Sequence, residues 1–150
     1  MEGNTIIIPT DGSEYAENAA EVGFGIAEKI GATVHILAVG DTKLTHLSSV
    51  GGPPPKTKED LVDVATEWAT DLADAAEADG LEAEVVVRSG TPAKEIADYA
   101  AEIDADMIVM GTAGRSGFER MVVGSVTNKV VQTAPVPVLT VRPDGTVDAA

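Results

Sequence analysis

The chain has 150 residues, about the length of one domain, and its 25 acidic and 10 basic residues give a formal net charge of −15. This charge argues against general nucleic-acid binding and against docking on an anionic membrane, because both need a basic face. The chain contains no cysteine, which excludes disulfides, thiolate metal ligands and a cysteine nucleophile.

The first half of the chain alternates short β-branched runs with longer amphipathic stretches. The short runs predict buried strands, and the stretches with apolar residues three or four positions apart predict helices. Ser13 and Thr57 are suited to cap the first two helices, and Gly31 stands where the first helix should end. In chain order, we predict a strand at 5–8, a helix at 13–30, a strand at 33–39, a loop at 40–56 and a helix at 57–79.

The second half continues this alternation and contains a long glycine-rich connection. Thr91 followed by Pro92 is typical of a helix start. In chain order, we predict a strand at 82–87, a helix at 91–103, a strand at 106–110, a glycine-rich loop at 111–124, a helix at 125–133 and a strand at 137–142. Strands separated by helices indicate an open parallel sheet with helices on both faces. We therefore expect one α/β domain over 1–150, with its core at about 4–143 and a short polar tail at 144–150.

Residues 111–127 carry the strongest signal for a binding site, because ligands of open α/β sheets bind beyond the carboxyl ends of the strands. Glycines allow backbone N–H groups to approach an anion closely, and the following helix adds N–H donors and the positive end of its dipole. Ser125 and Thr127 would add hydroxyl groups for a phosphate. The alternative interpretation is a plain connection between strand and helix, in which Ser125 caps the helix.

The charge distribution favours the anion-binding interpretation. Residues 1–106 carry a net charge of −16, whereas residues 107–143 carry +3, because four basic residues accompany a single acid there. Arg115 follows the second glycine of the loop, where its charge suits a phosphate. The acidic remainder of the chain suits a cell with a salty interior.

Three other residues need an interpretation. Asp11 directly follows the first predicted strand, so it is placed either to accept hydrogen bonds from a ribose or base or to cap the first helix. His35 lies inside a predicted strand with no acid or second histidine at motif spacing, so we interpret it as structural. Trp68 belongs to the apolar stripe of its helix and is expected in the core.

The strand ends lack the motifs of several other nucleotide-binding and signalling proteins. A G-x-x-x-x-G-K-[ST] loop is absent, and no G-x-G-x-x-G follows the first strand. A receiver domain needs an aspartate after the third strand and a lysine after the fifth, where Arg88 and Arg142 stand. A flavodoxin-like site stacks its flavin on aromatic residues, which make up 3% of this chain.

The glycine loop matches the pattern G-x2-G-x9-G-[ST] at Gly111, Gly114, Gly124 and Ser125. Further motifs lie at other strand ends: Pro-Thr-Asp-Gly-Ser at 9–13, Gly-Thr-Pro at 90–92 and Pro-Val-Pro-Val-Leu at 135–139. Together these motifs closely resemble the universal stress protein family over residues 4–143. The resemblance implies a Rossmann-like sheet of five parallel strands in the order 3-2-1-4-5, and it implies binding of an adenine nucleotide.

The resemblance also assigns roles to positions. Asp11, with Pro9 and Thr10 beside it, would contact the ribose and the adenine. The backbone of Val39, at the end of the second strand, would contact the base. The residues that would cradle the phosphates belong to the glycine motif and the helix start: Gly111, Gly114, Gly124, Ser125, Val126 and Thr127.

The family usually forms dimers through its fifth strand. The resemblance therefore implies a homodimer in which Val138, Leu139 and Val141 lie along an exposed apolar edge, since such an edge invites pairing. The segment 40–56 contains three consecutive prolines and matches no feature of the family.

We therefore expect a regulatory protein of the stress response that binds ATP, with Mg²⁺ or Mn²⁺ held mainly by the phosphates. No base or nucleophile is evident beyond Asp11 and the hydroxyls, and no metal-ligand motif appears, so no catalytic residue is assigned. The alternatives are a slow ATP hydrolase or autophosphorylating protein, with Ser125 or Thr127 as acceptor, and a ligand-free dimeric scaffold. We expect a cytoplasmic location, because no apolar run approaches about 18 residues and the N-terminus lacks the basic start of a signal peptide.

Overall fold

The computed structural model describes residues 3–42, 57–112 and 124–149. The strands are β1 (Thr5–Thr10), β2 (Thr33–Asp41), β3 (Ala83–Gly90), β4 (Met107–Gly111), β5 (Val138–Val141) and β6 (Val147–Ala149). The helices are α1 (Glu14–Ile30), α2 (Lys58–Ala78), α3 (Pro92–Glu102) and α4 (Ser125–Thr133). Each predicted strand and helix has a counterpart, while most of the predicted loop at 40–56 lies outside the described residues. Across the described ranges, the helices lack the combination of length and apolar composition that crossing a membrane requires.

Local capping explains where the first two helices begin. Ser13 Oγ accepts the Ala16 N–H at 3.2 Å, and Gly31 ends α1 in the left-handed conformation with a φ of 69°. At the start of α2, the Thr57 hydroxyl accepts the Asp60 N–H while the Asp60 carboxylate accepts the Thr57 N–H. This reciprocal capping box satisfies two N–H groups that the helix itself leaves unpaired. The predicted caps Ser13 and Thr57 are both confirmed.

The strands form one sheet in the order β3-β2-β1-β4-β5-β6. The first five strands in this order are mutually parallel, with Ile8 opposite Ile36 and Ile7 opposite Ile108. The predicted order of five parallel strands is therefore confirmed. The direction of winding reverses between β1 and β4, and the connections at such a switch point diverge to leave a crevice beyond the strand ends.

The core consists of two apolar layers, one on each face of the sheet. Ile6 and Ile8 of β1 pack in the layer that α1 and α2 cover, whereas Ile7 packs in the layer that α3 and α4 cover. All three are 0% exposed, which explains why β1 is a continuous apolar run rather than an alternating one. Helices on both faces agree with the prediction.

The C-terminal segment differs from the predicted polar tail at 144–150, because it contains β6, which runs antiparallel to β5. A tight turn reverses the chain between the two strands. Gly145 has a φ of 89° and its N–H bonds the Arg142 carbonyl at 2.8 Å, while the Asp144 carboxylate accepts the Thr146 N–H at 2.9 Å. A turn of this kind folds the tail back against the sheet.

The strand β5 is consequently not an edge of the sheet, and the prediction of an exposed edge at Val138, Leu139 and Val141 is wrong. Leu139 stands opposite Ala149, and Val141 stands opposite Val147. Val138 and Val141 are each 2% exposed, so two of the three side chains belong to the core. Pairing of β5 with a strand of a second copy along this edge would require β6 to separate from it.

Candidate functional site

A cavity of about 580 Å³ lies beyond the carboxyl ends of β1, β2 and β4, at the switch point of the sheet. Nine of the eleven residues predicted to bind the nucleotide line it: Pro9, Thr10, Asp11, Val39, Gly111, Gly124, Ser125, Val126 and Thr127. The other two, Gly114 and Arg115, lie outside the described residues. The described members of the predicted set thus surround one cavity, and their contacts with a ligand remain a prediction.

The turn after β1 holds Asp11 at the cavity. Thr10 Oγ1 accepts the Gly12 N–H at 3.1 Å, and Asp11 Oδ1 accepts the Ser13 N–H at 3.0 Å. Gly12 has a φ of 80°, a conformation that glycine adopts without the steric penalty of a Cβ atom. Since Ser13 caps α1, the alternative assignment of Asp11 as the helix cap is wrong. Asp11 is instead one of the residues that line the cavity.

The start of α4 forms the opposite end of the cavity. Gly124 is the N-cap of α4, so the interpretation of Ser125 as the cap is wrong by one position. The first N–H groups of an α-helix have no acceptor within the helix, and the first turn of α4 contains no acidic residue. Together with the positive end of the helix dipole, these N–H groups favour an anion beside Gly124, Ser125 and Val126.

Thr127 ties α4 to the end of β4. Its hydroxyl donates to the Gly111 carbonyl at 2.7 Å, and the residue is 4% exposed. The Gly124 N–H donates to the Thr112 carbonyl at 2.6 Å, which joins the chain at the end of β4 to the start of α4. Because the single hydroxyl proton of Thr127 is engaged, Ser125, which is exposed, is the hydroxyl better placed to meet a ligand.

An apolar wall closes the cavity on the side of α2. Leu61, Val64 and Trp68 share one face of this helix and line the cavity. Trp68 packs against the core, as predicted, but it also lines the cavity, which the sequence interpretation missed. Its ring lies over Gly12, where a Cβ atom would stand 2.6 Å from ring atoms Cδ1 and Cε2. Helical spacing identifies this face of α2, but only the sheet topology shows that it reaches the strand ends.

The charged residues among the described lining residues are Asp11 and Asp41, at the ends of the adjacent strands β1 and β2. Arg115, whose charge was predicted to favour a phosphate, lies outside the described residues, and Lys129 is exposed on α4. In the described part of the chain, the start of α4 is therefore the feature that favours an anion. The same part of the chain contains no cluster of three or more His, Asp or Glu side chains that could hold a metal ion.

His35 belongs to a separate polar cluster on the face of the sheet that α3 covers. Its Nδ1 lies 2.7 Å from the Tyr99 hydroxyl, and its Nε2 lies 3.1 Å from Glu84. Arg88 stands 4.9 Å from the centre of the Tyr99 ring and binds the Glu102 carboxylate with two hydrogen bonds. Burial raises the pKa of Tyr99, and the hydrogen bond from Arg88 lowers the pKa of Glu102. These contacts agree with the structural interpretation of His35.

Comparison with known proteins identifies close relatives over nearly the whole chain. The model of the Universal stress protein family matches residues 3–142. Universal stress protein MJ0531 of Methanocaldococcus jannaschii is 35% identical over 137 residues, which cover 91% of this chain and 81% of that protein. The similarity therefore extends across every parallel strand and across both ends of the cavity.

Two solved structures share the fold. The structure of the hypothetical protein MJ0577 has a TM-score of 0.77 and 27% sequence identity, and the alignment covers 97% of this chain and 100% of that chain. A universal stress protein from Archaeoglobus fulgidus in complex with dAMP has a TM-score of 0.66 and 25% identity, with coverage of 93% and 97%. The second of these similar proteins thus holds an adenine deoxynucleotide.

Proposed function

The chain belongs to the universal stress protein family, and from this premise we propose that it binds an adenine nucleotide in the cavity beyond β1, β2 and β4. The proposal rests on one observation: Asp11, Val39 and the start of α4 line the same cavity. The complex of the Archaeoglobus fulgidus relative with dAMP supports this class of ligand.

The phosphates occupy the end of the cavity that α4 forms. Backbone N–H groups at Ser125 and Val126 would donate to phosphate oxygens, because the Gly124 N–H already bonds the Thr112 carbonyl, and the helix dipole adds to the attraction. Gly111 would allow close approach from the end of β4, and Thr127 would hold the helix start in place through its bond to the Gly111 carbonyl. Gly114 and Arg115 complete the proposed phosphate contacts.

The ribose and the base occupy the part of the cavity between β1 and β2. The Asp11 carboxylate, fixed by the Ser13 N–H, is a suitable acceptor for ribose hydroxyls. Pro9 and Thr10 would flank the adenine, and the backbone of Val39 would hydrogen-bond the edge of the base. These contacts use the strand ends of the switch point, where open α/β sheets bind their ligands.

We infer that the nucleotide is ATP and that the protein is a cytoplasmic regulatory module of the stress response. Mg²⁺ or Mn²⁺ would be held mainly by the phosphates, because the described residues contain no cluster of three or more His, Asp or Glu side chains that could hold a metal ion. Asp11 and Asp41 are the candidate bases among the described lining residues, and Asp11 already accepts the Ser13 N–H, which favours binding over rapid hydrolysis.

Slow hydrolysis or autophosphorylation is the second candidate activity, and the position of Ser125 favours it. Ser125 is the first residue of α4, is exposed and lines the cavity, whereas the hydroxyl of Thr127 is buried and bonded. Incubation with ATP labelled on its terminal phosphate and Mg²⁺ separates the possibilities. Label on the protein that disappears in Ser125→Ala indicates autophosphorylation. Free labelled phosphate that disappears in Asp11→Ala indicates hydrolysis, and binding without either product indicates the regulatory role.

A homodimer through the fifth strand requires a rearrangement of the tail. β6 pairs with β5 within one chain, from Leu139 opposite Ala149 to Val141 opposite Val147. We propose that a second copy pairs with β5 only after β6 has separated from it. The tail would then control self-association, since an uncovered strand edge presents unpaired N–H and C=O groups to another chain.

A further inference from the structure

The apolar wall of the cavity contains the one tryptophan of the chain, Trp68. Leu61, Val64 and Trp68 lie three and four positions apart, so α2 turns all three toward the cavity. The indole lies over the Gly12 turn, immediately beside Asp11, because a Cβ atom at Gly12 would stand 2.6 Å from two atoms of the ring. The ring therefore lines the cavity beside the turn that follows β1.

The order of the strands determines which end of a nucleotide meets this wall. β1 lies between β4 and β2, and neighbouring strands are about 4.8 Å apart. A nucleotide with its phosphates at the start of α4 must cross the end of β1 to reach β2 and α2, about 10 Å away. In the proposed orientation the base is the part that reaches this end of the cavity, which Val39, Leu61 and Trp68 line.

This end of the cavity suits a planar ring with apolar faces and polar edges. Side chains of Leu61, Val64 and Trp68 offer apolar surface, whereas polar groups come from the strand ends at Asp11 and Asp41. Nucleobases stack on aromatic side chains, and stacking grows with the area of ring overlap. A bicyclic purine overlaps an indole more fully than a single pyrimidine ring does.

We propose that Trp68 stacks on the base of the bound nucleotide and selects a purine over a pyrimidine. The inference rests on the proposed nucleotide site and adds a specificity-determining residue to it. Trp68 acts there through the π-face of its ring, while Asp11 and α4 bind the sugar and the phosphates of any nucleotide. Loss of the ring should therefore weaken ATP binding more than CTP binding.

The fluorescence of Trp68 gives the first test, because no other tryptophan contributes to the emission. The wild-type protein is titrated with ATP and with CTP, each with Mg²⁺. Stacking of a purine on the indole should quench the emission at saturation, and CTP should quench it less at its own saturation. Equal quenching by the two nucleotides, or an emission that ATP leaves unchanged, overturns the proposed stacking.

Calorimetric titration of variants gives the second test. Trp68→Leu should weaken ATP binding about tenfold and reduce the preference for ATP over CTP, whereas Trp68→Phe should retain part of that preference. Val62→Ala is the control, since this half-buried residue of α2 lies outside the cavity lining and reports effects on the helix alone. If the role of Trp68 is purely structural, Trp68→Leu should weaken the binding of ATP and CTP equally and leave the ratio of the two affinities unchanged.

The outcomes separate this inference from the function on which it rests. A wild-type protein that binds neither ATP nor CTP overturns both. If the wild-type protein binds ATP and Trp68→Leu keeps the same preference for ATP over CTP, the role of Trp68 is overturned and the nucleotide site remains in place. If Trp68→Leu fails to fold, the fluorescence titration and the ratio of ATP to CTP affinity in Trp68→Phe test the stacking role of Trp68.

Discussion

Replacement of Gly12 by alanine perturbs the turn that joins β1 to α1. Gly12 has a φ of 80°, and a Cβ atom there would stand 2.6 Å from Cδ1 and Cε2 of Trp68. Real Cβ atoms do not come this close to other heavy atoms, so either the indole or the turn must move. The same turn holds the Asp11 carboxylate, which links the stability of the turn to the geometry of the proposed site.

Two separate effects determine how much the free energy of unfolding falls in Gly12→Ala. The left-handed backbone conformation costs an alanine about 1–2 kcal/mol. Overpacking against the half-buried Trp68 ring adds about 1–3 kcal/mol, depending on how far the ring can shift toward the cavity. The free energy of unfolding should therefore fall by about 2–5 kcal/mol in Gly12→Ala.

Urea unfolding followed by circular dichroism measures this change, and two other glycines provide matched controls. Gly80 has a similar φ of 84° with no heavy atom within 4 Å of its Cβ position, so Gly80→Ala isolates the backbone effect. Gly25 lies in α1 with equally open surroundings, and Gly25→Ala should stabilise the protein by about 0.5–1 kcal/mol. If Gly12→Ala destabilises no more than Gly80→Ala, the indole is not packed on the turn and the reasoning is refuted.

Three further changes have expected outcomes. Thr127→Val should lower the free energy of unfolding by about 1–3 kcal/mol, because the Gly111 carbonyl at the end of β4 loses its buried hydrogen bond from the Thr127 hydroxyl. Urea unfolding measures the loss, and Thr127→Ser, which keeps the hydroxyl, is the control. An NMR titration should give the Glu102 carboxyl a pKa below its ordinary value of 4.5, and Arg88→Gln should return it toward that value. Because the folded pKa is lowered, the pair adds stability above pH 4.5 that disappears as the pH falls through the lowered pKa. Removal of residues 144–150 should uncover β5 and increase the mass measured by light scattering after size-exclusion chromatography. An unchanged mass contradicts the proposal that the tail controls self-association.

The parallel direction of the strands and the helix starts were predictable from the residues themselves, whereas the order of the strands followed from the family resemblance. A run such as Ile6–Ile8 is apolar at every position because both faces of β1 are buried, and a β-α-β succession requires parallel strands. Ser13 and Thr57 act through hydrogen bonds to N–H groups three positions ahead, which are visible in the sequence. Features that depend on residues close together in the chain could therefore be predicted from the sequence.

The features that the sequence did not predict depend on contacts between distant residues. β6 has three residues, too few to show a period of two, and it forms because the turn around Gly145 returns the chain to β5. The glycine motif indicated the strand ends that line the cavity, but Trp68 lines it because α2 crosses beside the end of β1. No local pattern distinguishes a tryptophan that only fills the core from one that also borders a cavity.

Calorimetric titration with ATP and Mg²⁺ tests the proposed nucleotide site most directly. We expect saturable binding at one site per chain, a melting temperature raised by about 3–6 °C at ATP concentrations near ten times the dissociation constant, and loss of both in Gly124→Val. The Gly25→Ala variant, altered on an open face of α1, should bind as the wild type does. No heat of binding and no rise in melting temperature at millimolar ATP, over the range of salt in which the protein is folded, would contradict the proposal.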